Sequence, residues 1–206
     1  MKNISACLYG ILDLGYVSAG DAASMARRML IGGAGIIQLR AKKLPRQAIR
    51  SLAEEILPIC REFGVPLILN DHPDLVPVTG ADGVHVGQDD LPVPQVREIV
   101  GPDAIIGLST HSLDQAAAAT QAAPDYIGFG PLFSTPTKPD YVPVGLEDIR
   151  LVHERVALPV FCIGGIKLEN LHTVLAAGAK RVVIVSGILQ APDVTDYCKK
   201  CLALMA

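Results

Sequence analysis

The stretch AIIGLSTHSLDQAAAATQAAPDYIGFG, residues 104–130, decides the fold. It opens on a β-branched run (104–109) and passes through Ser112, a residue type suited to a helix N-cap, into an amphipathic segment at 112–122. It closes on a second apolar run, 125–130. Two strands bridged by a helix read as a βαβ unit, in which the strands are parallel and the crossover is right-handed.

The same unit recurs outward in both directions. Strand candidates lie at 7–12, 35–40, 66–70, 83–87, 104–109, 125–130, 159–165 and 181–187, and amphipathic segments at 21–32, 46–63, 92–100, 112–122, 146–156, 168–177 and 192–204. Residues 73–79 have room for only a turn or two. Eight units at a spacing of about 25 residues predict a single-domain (β/α)8 TIM barrel over residues 1–206, because eight parallel strands close the sheet on itself. The alternative is an open doubly wound sheet. Against it, no strand end resembles GxGxxG, and polar residues fall at the ends of many strands instead of clustering after the first.

Composition narrows the function. Half of the residues are hydrophobic and there is no Trp, which suits strands covered on both faces. A net charge of −3 gives no basic footprint for nucleic acid, so an anionic ligand needs a local cluster of cations. The apolar run at the N-terminus is broken by Asp13 before it reaches signal-peptide or membrane-span length, and the chain is expected to be cytoplasmic with no membrane partner. Five scattered cysteines argue against a disulfide framework. Cys198 and Cys201 form a CxxC, but on a helical pattern with no second pair this spacing places two small residues on one face.

In a barrel of this kind the chemistry lies where the strands end. Strand 2 ends QLRAK (38–42), whose alternation turns Gln38, Arg40 and Lys42 to one face. Strand 3 ends in Asn70 and Asp71, strand 4 runs from His85 to Asp90, and strand 5 reaches Ser109 and His111. Strand 6 leads into a long, proline-rich loop with Thr135, Thr137 and Lys138; loops of this length are commonly lids or binding loops. Strands 7 and 8 end in Gly164-Gly165 and Ser186-Gly187, where barrels bind phosphate through backbone N–H groups. Each feature has a plain structural explanation: an Asx turn at Asn70-Asp71, turn geometry at the glycines, a satisfied core histidine at His85, a loop-stabilising one at His111. Seven strand ends carrying polar groups on one rim are harder to explain that way.

Three cations (Arg40, Lys42, Lys138) with two carboxylates (Asp71, Asp90) make sense at one mouth if the carboxylates hold Mg²⁺ against a diphosphate. The glycine-rich ends of strands 7 and 8 then offer a second, metal-free phosphate site. Two phosphorylated ligands across one mouth imply group transfer.

The ordered set QLRAK, ND (70–71), ADGVHVGQDD (81–90), IIGLSTH (105–111), DYIGFGPLFSTPTK (125–138), IGGI (163–166) and VVIVSGI (182–188) resembles the thiamine phosphate synthase family and spans most of the chain. The resemblance implies a transferase that joins 4-amino-5-hydroxymethyl-2-methylpyrimidine diphosphate to thiazole phosphate and releases diphosphate. It also implies that Gln38, Arg40, Lys42, Asn70 and Lys138 contact the pyrimidine diphosphate, that Asp71 and Asp90 ligate Mg²⁺, and that Ser109 lies beside the leaving group. Thr135, Thr137, Gly165, Val185 and Ser186 would receive the thiazole phosphate, and the loop at 131–144 would close as a lid. Catalysis would rest on Arg40, Ser109 and Lys138. The chain departs from the family pattern at Leu12-Asp13, His72 and Phe161-Cys162. Two rival readings are a thiazole tautomerase of the same superfamily, which needs neither diphosphate nor metal, and a non-enzymatic barrel that binds a phosphorylated metabolite. Small-molecule substrates are the expected partners, and a homo-oligomer is compatible with the sequence.

Overall fold

A computed structural model describes residues 4–135 and 142–206. Eight parallel strands close into a barrel in sequence order, β1 (Leu8–Asp13), β2 (Ile36–Arg40), β3 (Leu67–Asn70), β4 (Gly83–Val86), β5 (Ile105–Thr110), β6 (Tyr126–Phe129), β7 (Val160–Cys162) and β8 (Val182–Ile184), with β8 pairing back onto β1. Helices cover the outside: α1 (Ala22–Ile31), α2 (Arg46–Glu62), α3 (Val76–Thr79), α4 (Val93–Val100), α5 (Leu113–Ala122), α6 (Ile149–Arg155), α7 (Leu168–Ala176), α8 (Ser186–Leu189) and α9 (Val194–Met205). None of the described helices is long and apolar enough to cross a membrane.

Alternation along each strand divides the apolar residues into two cores. One set, including Leu8, Leu12, Ile37, Leu39, Leu67, Leu69, Val84 and Val86, packs outward beneath the helices. The other, Tyr9, Ile11, Ile36, Ile68, Tyr126, Phe161 and Val183, fills the barrel and is joined by Ile4 from the segment before β1. Tyr9, Tyr126 and Phe161 meet edge to face, with ring centroids 5.4 to 5.9 Å apart. Such pairs add about 0.5–1.5 kcal/mol each beyond the area they bury.

Most predicted elements match within one residue, and the turn at 73–79 is a 3₁₀ turn followed by the single turn of α3. The last two strands are corrected. The run at 159–165 leaves the sheet after Cys162, because Gly164 and Gly165 take left-handed φ angles of 100° and 66°. The run at 181–187 leaves it after Ile184, and Ser186 begins the four-residue helix α8 instead of ending a strand. The segment read as helical from 146 forms a helix only from Ile149 to Arg155.

Candidate active site

Inward-facing residues at the carboxyl ends of the strands line a pocket of about 930 Å³, counting the space at its open mouth. Gln38, Arg40, Asn70 and Ser109 lie on one side of its lining, and Thr135, Gly165, Val185 and Ser186 complete the other. All eight were expected at the mouth from sequence. Lys42 lines an adjoining cleft with Asp13, Tyr16 and Lys43, and Arg40 borders both spaces. Thr137 and Lys138 lie outside the described residues, as does the middle of the segment read as a lid, 136–141.

Asp13 holds the position of Arg40. Its buried carboxylate accepts from the Arg40 guanidinium and from the backbone N–H of Gly15 at 2.8 Å. An arginine anchored on one nitrogen keeps its other donors for an anion, and the fixed planar fork suits phosphate oxygens. Sequence reading gave Asp13 no role, because its value depends on β1 and β2 setting it opposite Arg40 in the register.

The two carboxylates expected to hold metal both lie close enough to His72 for their charges to act on its imidazole. Desolvation nevertheless dominates there and lowers the His72 pKa from its ordinary value. Asp71 adopts a left-handed φ of 62°, donates its backbone N–H to the His85 carbonyl at 3.0 Å and stands 3.4 Å from Lys42 Nζ. Backbone strain of this kind, of order 1–3 kcal/mol, is concentrated at functional sites. Asp90 is exposed and accepts the Gly87 N–H at 2.7 Å. Among the described residues no group of three or more His, Cys, Asp and Glu side chains is arranged to hold a metal. Two carboxylates with oxygens to spare instead suit an ion such as Mg²⁺, which takes its other ligands from water and substrate phosphate.

The opposite side of the mouth is built from backbone. A Cβ at Gly164 would lie 2.4 Å from Pro131 Cα, and one at Gly165 would lie 2.7 Å from Phe133 Cβ, so the turn after β7 can run against the loop after β6 only with glycine in both places. That loop is pinned there by Leu132 N–H to Ile163 O (2.8 Å) and Phe133 N–H to Gly164 O (3.1 Å). The first N–H groups of α8 have no carbonyl partner within the helix, which leaves donors at Val185–Gly187 beside the pocket.

Both histidines are engaged. His111 donates its backbone N–H to Gln115 Oε1 at 2.7 Å and its Nδ1–H to the Gly130 carbonyl, tying the end of β5 to the end of β6. His85 bridges Tyr126 Oη (3.0 Å) and Ser109 Oγ (2.9 Å). Tyr126 also meets Tyr9 Oη at 2.9 Å, and Gln38 Nε2 donates to Tyr9 at 2.7 Å. The tyrosines escaped sequence reading, since an aromatic in a buried strand looks like core.

The CxxC thiols of Cys198 and Cys201 are buried in α9, and burial pushes their pKa values up to about 12 and about 11. They stay protonated and act as packing, as their helical spacing suggests.

The sequence matches the thiamine monophosphate synthase family over residues 8–188. It is 42% identical to the thiamine-phosphate synthase of Shouchella clausii over 96% of this chain and 95% of the relative. It is 44% identical to that of Pelotomaculum thermopropionicum over 98% and 94%. Among solved structures, the thiamine phosphate pyrophosphorylase of Pyrococcus furiosus superposes with a TM-score of 0.88 at 31% identity, covering 97% of this chain and 95% of that one. A 3-hexulose-6-phosphate synthase, at a TM-score of 0.71 and 16% identity, shares the barrel fold alone. Matched along nearly its whole length in sequence and in fold, the chain belongs to the thiamine monophosphate synthase family of transferases.

Proposed function

We propose that the protein joins 4-amino-5-hydroxymethyl-2-methylpyrimidine diphosphate to thiazole phosphate, giving thiamine phosphate and diphosphate. One observation carries the reading: a single pocket has an anchored arginine and a polar rim on one side and a backbone-lined turn on the other. Two phosphorylated ligands can meet across it.

Gln38 and Asn70 would take the pyrimidine, Arg40 and Lys42 the diphosphate, and Ser109 would lie beside the leaving diphosphate. Thr135, Gly165, Val185 and Ser186 would receive the thiazole phosphate. Asp71 and Asp90 would hold Mg²⁺, which when bound supplies positive charge to the diphosphate oxygens. Roles for Thr137 and Lys138 rest on the resemblance of their motif.

The pyrimidine amino group can donate electron density toward the exocyclic methylene, so the carbon–oxygen bond breaks early and negative charge collects on the departing diphosphate. Arg40, held from behind by Asp13, meets that charge without reorganising. The thiazole nitrogen then attacks the methylene carbon with its own lone pair. It has no proton to lose, so no general base is required; what the reaction needs instead is exclusion of water, which would otherwise capture the cation as the alcohol.

The retained diphosphate ligands speak against the tautomerase reading: Lys42, Asp71 and Asp90 have no work in a proton shift on the thiazole. Incubating the protein with both substrates and Mg²⁺, then separating the products by chromatography, tests the reading. Thiamine phosphate and diphosphate should form in equal amounts. Isomerised thiazole phosphate, or no change in either substrate, would overturn it.

A further inference from the structure

The barrel interior contains a polar chain that the reaction does not explain. From Gln38 on β2 it passes through Tyr9 on β1, Tyr126 on β6 and His85 on β4 to Ser109 on β5, with contacts of 2.7, 2.9, 3.0 and 2.9 Å. Tyr9, Tyr126 and Gln38 are at most 2% exposed, while both ends of the chain, Gln38 and Ser109, line the pocket. Room for it is built into the strands. A Cβ at Gly107 would lie 2.4 Å from both Tyr126 Oη and His85 Nδ1, in the space their hydrogen bond occupies.

We infer that Tyr9, Tyr126 and His85 are positioning residues that fix the hydrogen polarity of this chain, and thereby make the pocket select a 4-aminopyrimidine over its 4-oxo counterpart. The inference rests on the proposed function and adds to it the source of base selectivity.

Four contacts need one hydrogen each. Gln38 Nε2 supplies the first to Tyr9; a buried phenol proton left without an acceptor is costly, so the Tyr9 proton points to Tyr126 and the Tyr126 proton to His85 Nδ1. His85 is then the Nε2–H tautomer and donates to Ser109 Oγ, which leaves the Ser109 proton free to point into the pocket. Burial raises both phenol pKa values, so neither tyrosine gives up its proton and the count holds. At the other end, a carboxamide pinned by one N–H cannot flip. It keeps Oε1 as an acceptor and its second N–H as a donor, the pairing an amino group beside a ring nitrogen requires, as glutamine does with adenine. A 4-oxo ring reverses donor and acceptor along that edge. Binding it would require the amide to flip and every hydrogen in the chain to reverse with it.

The test compares kcat/KM for the 4-amino and 4-oxo pyrimidine diphosphates in the wild type, Tyr126→Phe and Tyr9→Phe. The wild type should prefer the amino compound by on the order of a hundredfold or more; the amino group's electron donation contributes to that baseline equally in every variant, so the change in the ratio is the readout. Each variant should lower that ratio about tenfold or more, with activity on the 4-oxo compound rising, which damage to packing alone would not produce. Nitrogen-15 spectra of the histidine rings, with His85 assigned by His85→Gln, should show the Nε2–H tautomer in the wild type and a tautomer mixture in Tyr126→Phe. An Nδ1–H tautomer in the wild type, or an unchanged ratio in both variants, overturns the inference while leaving the proposed function standing. A wild type that turns over neither compound overturns the proposed function, and the selectivity inference falls with it.

Discussion

Arg40 carries its charge at the pocket rim because Asp13 holds it there. Both side chains are largely withdrawn from water, 15% exposed for Arg40 and 4% for Asp13. A guanidinium in that setting without its carboxylate would turn toward solvent or toward another acceptor. Asp13→Ala should therefore lower kcat/KM for the pyrimidine diphosphate by roughly tenfold to a hundredfold, the scale on which misplacing one catalytic group acts. Asp13→Asn, which still accepts the Gly15 N–H, should lose less. Steady-state rates at fixed Mg²⁺ measure both, and wild-type efficiency in Asp13→Ala would contradict the role. Asp13 also shows what the sequence left hidden. Its chemistry was legible, but its partner lies 27 residues away and is set only by strand register. Gln38, Arg40 and Asn70 were legible because alternation along their own strands aims them inward.

Among the elements, the ends of β5 and β6 show how the loops hold the mouth. His111 follows β5 and reaches the Gly130 carbonyl at the end of β6, while its backbone N–H is taken by Gln115 in α5. It is a strut between three elements. The proposed chemistry gives it no proton to move, so His111→Ala should retain far more diphosphate release than Arg40→Ala, with a loss of about tenfold through a displaced loop. Rates at saturating substrates over pH 6 to 9 decide this. A His111→Ala enzyme weaker than Arg40→Ala, together with one ionisation near neutrality in the wild type, would reopen the tautomerase reading. Strand order and helix positions were readable because each βαβ repeat is local. The ends of β7 and β8 were not, since Gly164-Gly165 and Val185-Ser186 continue an apolar pattern while their backbone turns away at the rim of the pocket. The buried tyrosine chain was hidden for a similar reason: a hydroxyl on a core aromatic acquires meaning only once the barrel closes.

At the scale of the whole molecule, the closed barrel ties stability to groups far from the pocket. His153 on α6 is partly buried, and its pKa is lowered first by desolvation and then by the charges of Lys180 and Arg181. Its folded pKa lies below the ordinary value of 6.5, so the fold favours the neutral ring. That contribution is complete above about pH 6.5 and is lost as pH falls toward the folded value, because the unfolded chain binds the proton first. Urea midpoints should fall between pH 7.5 and 5.5, and His153→Gln should flatten that slope; an equal slope in both proteins would remove His153 as its source. The proposed reaction itself is a property of the entire rim, with Arg40, Lys42, Asp71 and Asp90 supplied by three strands and their loops. Its most direct test is the rate of diphosphate release, followed with both substrates present and Mg²⁺ either supplied or removed by excess chelator. The account predicts release that matches thiamine phosphate formation and falls close to zero in chelator. Full release without metal, or release with no thiamine phosphate formed, would contradict it.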